Sequence, residues 1–124
     1  MNIKRLELLV TLLNELQGKI ETGTLDKLQF KLNDWERDSS CGTVACAIGY
    51  AMHDERFNDD GLHGDANSPR FNGYVGWAAV GVFFGIEHYE SVYLLDARSY
   101  CGQPQPIDVA KRITQFIEEG HDEH

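Results

Sequence analysis

The stretch "SSCGTVACAIGYAM" (residues 39–52) decides the expected architecture, because from residue 43 it is nonpolar almost all the way round. A helix without a polar face belongs at the centre of a domain. We therefore predict a central, buried helix over residues 43–53. Gly49 costs about 1 kcal/mol of helix propensity relative to alanine, so we expect it to allow a neighbouring helix to approach closely.

Amphipathic segments lie on both sides of this centre. Residues 2–20 place nonpolar side chains at three- and four-residue intervals, which predicts a helix. Residues 87–100 predict another, and a last helix begins at Pro106, since proline suits a first helical turn. The predicted inner faces are Ile3, Leu6, Leu9, Val10, Leu13, Leu16 and Ile20; Tyr89, Val92, Tyr93 and Leu94 or Leu95; and Ile107, Ala110, Ile113, Phe116 and Ile117.

Residues 74–86 are nonpolar as well, and their composition leaves helix and strand open. The alanines favour a helix, whereas the valines and phenylalanines are typical of strands. Gly85 followed by Ile86 fits a glycine cap at a helix C-terminus, with its hydrophobic contact.

Two segments are expected outside the helices. Alternating nonpolar residues at 28–35 predict a short extended arm, and the polar, glycine-rich residues 54–73 predict a loop that is long for a compact domain. The sequence thus predicts a mainly α, compact single domain over residues 1–124. It would have about five helices, a short extended arm, a long central loop and a frayed tail at 120–124.

The charge of the chain is acidic and uneven. The net charge is −9, and residues 75–124 carry eight acidic and three basic side chains. Direct binding of nucleic acid is disfavoured, because phosphates are neutralised by clustered lysine and arginine. An acidic surface instead attracts a basic partner or imitates nucleic acid towards a DNA-binding protein, although net charge by itself indicates only solubility.

The first residues superficially resemble a signal peptide, with positive charges followed by leucines. Glu7 interrupts the nonpolar run and no small-residue cleavage site follows, so we expect none. No segment approaches the roughly 20 nonpolar residues of a membrane span. Three cysteines are an odd number without the spacing of a disulfide scaffold. We expect a cytoplasmic protein with reduced thiols.

Cys41 is a candidate nucleophile. A serine or threonine N-cap within residues 39–43 would place this thiol at the start of the central helix, where exposed amides lower the pKa of a thiol. No histidine is marked as its base, although His63 and His88 are present. The cysteine spacing matches no zinc signature. Residues 58–65 do not match a calcium-binding loop, because Leu62 and His63 stand where such a loop requires an oxygen ligand and a glycine. We expect no metal site and no cofactor.

Anion binding is a second hypothesis for the same place. Gly42 and Thr43 at a helix N-terminus would present backbone N–H groups to a phosphate or carboxylate, next to Cys41. Arg37, Arg56 or Arg70 is the cation expected to assist. The alternative is that Ser40 or Thr43 caps the helix and satisfies those donors itself.

The 54–73 segment is the expected surface for a protein partner, together with the acidic C-terminal half. Most aromatic side chains are expected in the core, with Phe71, Tyr74 and Tyr100 as exceptions because they lie beside chain breakers. The candidate partner-binding residues are Asp59, Asp60, His63, Asp65, Phe71 and Tyr74.

The order of these segments resembles a family of small uncharacterised proteins that are widespread in bacteriophages and prophage-bearing bacteria. The distinctive motif is Cys-Gly-Thr followed by a cysteine and a glycine, formed here by Cys41, Gly42, Thr43, Cys46 and Gly49. The resemblance implies a phage accessory protein that acts in the host cytoplasm. It implies no activity that could be transferred to this chain.

Three functions follow as hypotheses. The first is a non-enzymatic phage protein that binds a host cytoplasmic protein, for example a host-defence protein, and inhibits or redirects it. The second is a protein that sequesters a small anionic or nucleotide-like signalling molecule. The third is a cysteine-dependent hydrolase or transferase. The oligomeric state is left open.

Overall fold

The computed structural model describes residues 1–23, 36–39, 42–45, 47–65, 68–96, 99–100 and 104–120. The helices are α1 (Ile3–Glu21), α2 (Ala47–Met52), α3 (Glu55–Asp59), α4 (Trp77–Phe84), α5 (His88–Leu95) and α6 (Pro106–Gly120). The strands are β1 (Glu36–Ser39), β2 (Gly42–Ala45), β3 (His63–Asp65), β4 (Ser68–Phe71) and β5 (Tyr74–Val75). β1 and β2 form one antiparallel pair, and β3, β4 and β5 form a three-stranded antiparallel sheet.

The mainly helical class is confirmed, and the described residues contain six helices rather than about five. The predicted arm at 28–35 and residues 121–124 of the predicted tail lie outside the described residues. A single cluster of buried side chains takes residues from all six helices and from β4.

α1 forms where the periodicity predicted it. The side chain of Asn2 caps the helix, because its oxygen accepts a hydrogen bond from the backbone N–H of Arg5 at 3.1 Å. The inner stripe is confirmed for most leucines, and Leu12 joins it although the prediction omitted it. The buried side chains of α1 are Leu6, Leu9, Leu12, Leu13 and Leu16.

α6 packs along α1 and begins at Pro106, as predicted. Proline has no N–H, and the next free donor of the helix, the N–H of Ile107, reaches the side-chain oxygen of Gln17 on α1 at 3.1 Å. Ala110, Ile113 and Ile117 are buried as expected, and so is Val109. α1 and α6 are thus held together by buried nonpolar side chains and by the hydrogen bond from the first turn of α6 to the side chain of Gln17.

The predicted helix over residues 43–53 is wrong at its start. Residues 42–45 form β2, in which Thr43 pairs with Asp38 and Gly42 pairs with Ser39 of β1. α2 begins only at Ala47. Thr43 and Val44 are β-branched and suit a strand, so pairing with β1 prevails over a helical pattern that nonpolar residues alone had suggested.

The predicted long loop over residues 54–73 is also wrong, because it contains α3, β3 and β4. Polar side chains build this segment. Asp54 caps α3 by accepting the backbone N–H of Arg56 at 2.9 Å. Asn58 donates its side-chain amide to the carbonyl oxygens of Met52 at 2.8 Å and Leu62 at 2.9 Å. Residues that favour turns therefore order the chain here.

Most of the ambiguous segment 74–86 is helical. β5 occupies its first two residues and α4 follows at Trp77. The glycine cap is confirmed, since Gly85 has a left-handed backbone with φ of 67°. The N–H of Ile86 donates to the carbonyl oxygen of Gly81 at 2.9 Å, which closes the turn into α5.

The predicted inner face of α5 is wrong for its two tyrosines and confirmed for its leucines. Tyr89 and Tyr93 are 71% and 48% exposed, whereas Ser91, Leu94 and Leu95 are buried. The buried residues lie three and four positions apart, so they share one face, and the two tyrosines lie on the opposite face. Two adjacent leucines have more to gain from burial than two tyrosines whose hydroxyls require water or a partner.

Residues from the start of α1 close the C-terminal end of α4. The backbone N–H of Asn2 donates to the carbonyl oxygen of Phe84 at 2.7 Å, and the guanidinium of Arg5 donates to that of Phe83 at 2.9 Å. The same guanidinium lies 4.3 Å from the ring centre of Phe83, which is fully buried. Arg5 also pairs with Asp60 at 3.5 Å. Carbonyls that a helix end leaves unpaired are thus satisfied by residues 78 or more positions away.

Replacing Arg5 by methionine should lower the free energy of unfolding by about 1–3 kcal/mol, because the carbonyl oxygen of Phe83 loses its donor. Methionine keeps most of the nonpolar contact with the rings. Urea unfolding followed by circular dichroism measures the change.

Lys4→Met is the matched control, since Lys4 is the exposed neighbouring cation. It should change stability by no more than about 0.5 kcal/mol. Equal losses in the two variants would show that the charge of this segment matters, and not the contact with α4.

Candidate functional site

The geometry expected for anion binding is not formed around Gly42 and Thr43. Both lie on β2 rather than at a helix N-terminus, and α2 begins at Ala47 with only six residues. Cys41, which was grouped with them, lies outside the described residues, as do Cys46 and Cys101. The backbone amides of a strand that pairs with β1 do not converge on one point as those of a helix end do.

Arg56 is engaged by carboxylates of its own chain. Its guanidinium donates to both side-chain oxygens of Asp54, at 3.0 and 2.8 Å, and to both of Glu15, at 3.2 and 2.7 Å. This hydrogen bonding holds the pKa of Asp54 below its usual range and raises the pKa of Arg56. Arg56 therefore joins α3 to α1, and its predicted role as an anion-binding cation has no support from this arrangement, because its charge is already balanced.

Arg70 lies half-buried on β4, the central strand of the three-stranded sheet. It is placed opposite His63 of β3 and Val75 of β5, so the three side chains form a row across the sheet. Arg70 belongs to a different element from both Arg56 and the β1–β2 pair. The proposed anion ligands are thus distributed over three elements.

The expected partner-binding residues divide into two groups. Asp59, Asp60 and His63 are exposed, and Tyr74 is 49% exposed as predicted. Asp65 lies on β3, and its side chain is not described. Phe71 is the wrong assignment, because it is 7% exposed.

Phe71 is buried for a physical reason. Its ring meets that of Phe83 edge to face, with ring centres 5.0 Å apart, and the guanidinium of Arg5 lies 5.2 Å from it. A chain breaker beside a large nonpolar residue indicates a turn, but it does not indicate which way the residue points. Tyr100, the third expected exception, is half-buried, and its hydroxyl donates to the carbonyl oxygen of Leu94 at 2.7 Å.

An exposed nonpolar surface lies instead on α4 and α5. We call it the α4–α5 face and define it by the exposed side chains of Val82, Tyr89 and Tyr93 together with the groove beside them. Val82 is 41% exposed, in a helix that has no charged side chain. The predicted acidic C-terminal half spans these residues, but none of the three was among the candidate partner-binding residues. The pair of leucines at the end of α5 was the signal that could have found them, because it fixes which face of α5 is buried.

The groove of this face has a volume of about 460 Å³ and lies between the outer side of α4 and the first turn of α5. Its walls are mainly nonpolar, and Trp77 meets His88 edge to face, with ring centres 6.3 Å apart. Glu87 supplies a formal negative charge at the edge. The side chains that line it include Trp77, Ala78, Val82, Ile86, Glu87 and His88.

Arg112 of α6 fixes one end of the face. Its guanidinium lies 4.5 Å from the ring centre of Tyr93 and 3.8 Å from that of Tyr100, and it donates to the carbonyl oxygens of Tyr93 and Ser99 at 2.9 Å each. Burial raises the pKa of Tyr100. The arginine thus occupies one side of Tyr93 while this tyrosine remains about half exposed to solvent.

The described residues contain no group of three or more His, Cys, Asp or Glu side chains that could hold a metal ion. None of their helices is both long enough and nonpolar enough to cross a membrane. No protein-family model, no curated protein and no solved structure matches the chain.

The ion pair of Asp54 predicts a pH-dependent stability. Because Arg56 lowers the pKa of Asp54 in the folded state, the carboxylate stabilises the fold fully above the unfolded carboxyl pKa of about 3.9. This contribution disappears as the pH falls through the lower folded value. Asp54→Asn should therefore cost up to about 1 kcal/mol at pH 7, since asparagine still caps α3, and the cost should vanish in acid.

Urea unfolding of the wild type and the variant between pH 7 and about pH 2 measures this difference. Asp59→Asn, an exposed carboxylate of the same helix, is the control and should show no comparable change. A gap between wild type and Asp54→Asn that stays constant down to the lowest pH would contradict the assignment.

Proposed function

We propose that the protein is a non-enzymatic binding protein that inhibits or redirects another protein. Following the resemblance of its motif to phage proteins, we place its target in the host cytoplasm, with a host-defence protein as one example. The observation that carries the proposal is the α4–α5 face, where Tyr89 and Tyr93 are exposed on α5 and a mainly nonpolar groove lies between α4 and the start of α5.

Exposed tyrosines on a rigid helix favour protein binding. A tyrosine offers a large contact area with few rotatable bonds, and so it loses little conformational entropy in an interface. Tyrosine is also enriched among the residues that dominate binding energy. In addition, α5 is firmly held by Leu94 and Leu95 in the core, so the tyrosines are presented without rearrangement.

The groove adds the second feature of a recognition surface. Exposed nonpolar side chains that lie together mark interaction sites more often than isolated ones do. Trp77 and Ile86 are half-buried on its wall and Val82 lies on its outer edge. A partner side chain that filled this groove would remove nonpolar surface of both molecules from water, which is the main favourable term in association.

The competing surface, which we call the α3 surface, comprises Asp59 and Asp60 at the end of α3 together with His63 of β3 and Tyr74 of β5. Asp59, His63 and Tyr74 remain exposed and were the original expectation. They offer fewer nonpolar contacts, because Phe71 is buried, and Asp60 is partly balanced by Arg5. We therefore assign recognition to the α4–α5 face and use the α3 surface as the control.

The two other hypotheses have less support. Sequestration of a small anion relied on a helix end at Gly42 and Thr43 and on a free Arg56, and neither is present. A cysteine-dependent hydrolase or transferase relies on Cys41, which lies outside the described residues. That hypothesis stays a prediction, which the rate of alkylation of Cys41 by iodoacetamide would test.

A pull-down from bacterial host lysate tests the proposal with two matched double variants. Tyr89→Ala with Val82→Gln removes the α4–α5 face, and Asp59→Ala with Tyr74→Ala removes the α3 surface. All four side chains are exposed, so both variants should keep the circular dichroism spectrum of the wild type. The first should lose at least about tenfold of the captured protein, as expected for central contacts of an interface, and the second should retain it.

Two outcomes would contradict the proposal. Loss of the partner only in the Asp59 and Tyr74 variant would move recognition to the α3 surface. Failure of the wild type to retain any protein above a bead control, in lysates of infected and uninfected cells, would remove the support for a binding protein.

A further inference from the structure

The two tyrosines of α5 differ in what covers their rings. Tyr93 carries the guanidinium of Arg112 at 4.5 Å from its ring centre. Tyr89 lies one turn earlier on the same helix and is 71% exposed. Within the described part of the chain, no arginine or lysine lies over the ring of Tyr89. Among the described residues, α5 thus exposes two tyrosines, of which Tyr93 has an arginine over its ring and Tyr89 does not.

Two carboxylates are close to Tyr89 along the chain. Glu87 is the N-cap of α5 and Glu90 lies in its first turn, and the backbone N–H of Glu87 donates to a side-chain oxygen of Glu90 at 2.8 Å. This capping bond holds the carboxylate of Glu90 near the start of the helix and leaves its remaining lone pairs to accept further donors. An aromatic face next to carboxylates attracts a cation through both groups.

The surrounding sequence supplies no cation of its own. Residues 71–97 contain no lysine and no arginine, while they contain Glu87, Glu90 and Asp96. Residues 77–95, which include the α4–α5 face, thus carry two acidic side chains and no lysine or arginine, and Arg112 of α6 lies at the Tyr93 end. Charge complementarity favours a positively charged partner, and it disfavours nucleic acid and an anionic membrane surface.

We propose that the partner of the α4–α5 face is a protein segment that bears an arginine beside a nonpolar side chain. The arginine stacks on Tyr89 next to Glu87 and Glu90, as Arg112 stacks on Tyr93, and the nonpolar side chain enters the groove that Val82 borders. Arginine is favoured over lysine because its planar guanidinium stacks on a ring and donates to a carboxylate at the same time. This inference rests on the proposed function and names the chemistry of the partner.

Three fluorescein-labelled peptides of 14 residues test the inference. They share leucines at every third or fourth position and carry arginine, lysine or glutamate at the remaining charged positions. Binding is followed by fluorescence anisotropy at a salt concentration near 0.15 M, where long-range attraction between exposed charges is screened. The arginine peptide should bind more tightly than the lysine peptide, and the glutamate peptide should not bind.

Substitutions at Tyr89 separate stacking from simple attraction. Tyr89→Phe keeps the aromatic face and should bind the arginine peptide like the wild type. Tyr89→Leu keeps the nonpolar bulk without the face and should weaken this binding by about threefold to tenfold. Asp59→Ala with Tyr74→Ala serves again as the control and should have no effect. Circular dichroism confirms that each variant is folded.

Equal binding of the arginine peptide to the wild type and to Tyr89→Leu would overturn the inference, and so would equal affinities for the arginine and lysine peptides. A dimer that Tyr89→Leu dissociates would show a second copy of the chain on this face and would also overturn it. If no peptide binds while the lysate partner depends on Tyr89 and Val82, the inference fails and the proposed function stands.

Discussion

The contact between the start of α1 and the end of α4 determines the arrangement of the other elements. α4 has no charged side chain, and its last carbonyl groups require donors from elsewhere in the fold. The backbone N–H of Asn2 and the guanidinium of Arg5 supply them to Phe84 and Phe83. Arg5 also packs against the rings of Phe83 and Phe71. Arg5 of α1 thus contacts α4 through Phe83 and the three-stranded sheet through Phe71.

This arrangement decides which surface of α4 and α5 faces solvent. With Phe83 and Phe84 in the core, Val82 points outward, and the glycine cap at Gly85 turns the chain directly into α5. Leu94 and Leu95 then bury one side of α5, so its tyrosines are exposed. The candidate site is therefore a consequence of core packing, because the same helices that fill the core expose their remaining sides to solvent.

The arginines explain why this acidic protein should prefer a basic partner. Arg5, Arg56 and Arg112 each bind carboxylates, carbonyls or rings of their own chain. The charges of these arginines are engaged by groups of the fold itself. Residues 71–97, which include Glu87, Glu90 and the tyrosines of α5, contain no lysine or arginine. Two of the carboxylates that contribute to the net charge of −9 therefore lie in or next to α5.

The sequence by itself determined the features that depend on local spacing. The helices α1 and α6 follow from their nonpolar periodicity, and the cap at Gly85 follows from the left-handed conformation that glycine tolerates. These features involve residues within a few positions of one another. For this reason a pattern read along the chain was sufficient to predict them.

Only the tertiary structure decided the strand β2, the burial of Phe71 and the outward direction of Tyr89. Each depends on a contact with another element: pairing with β1, the edge of the Phe83 ring, and the leucines that α5 buries. The short nonpolar stretches of this chain fit more than one secondary structure and more than one inner face. The partner across the fold selects among them, because the free energy of packing exceeds that of local propensity.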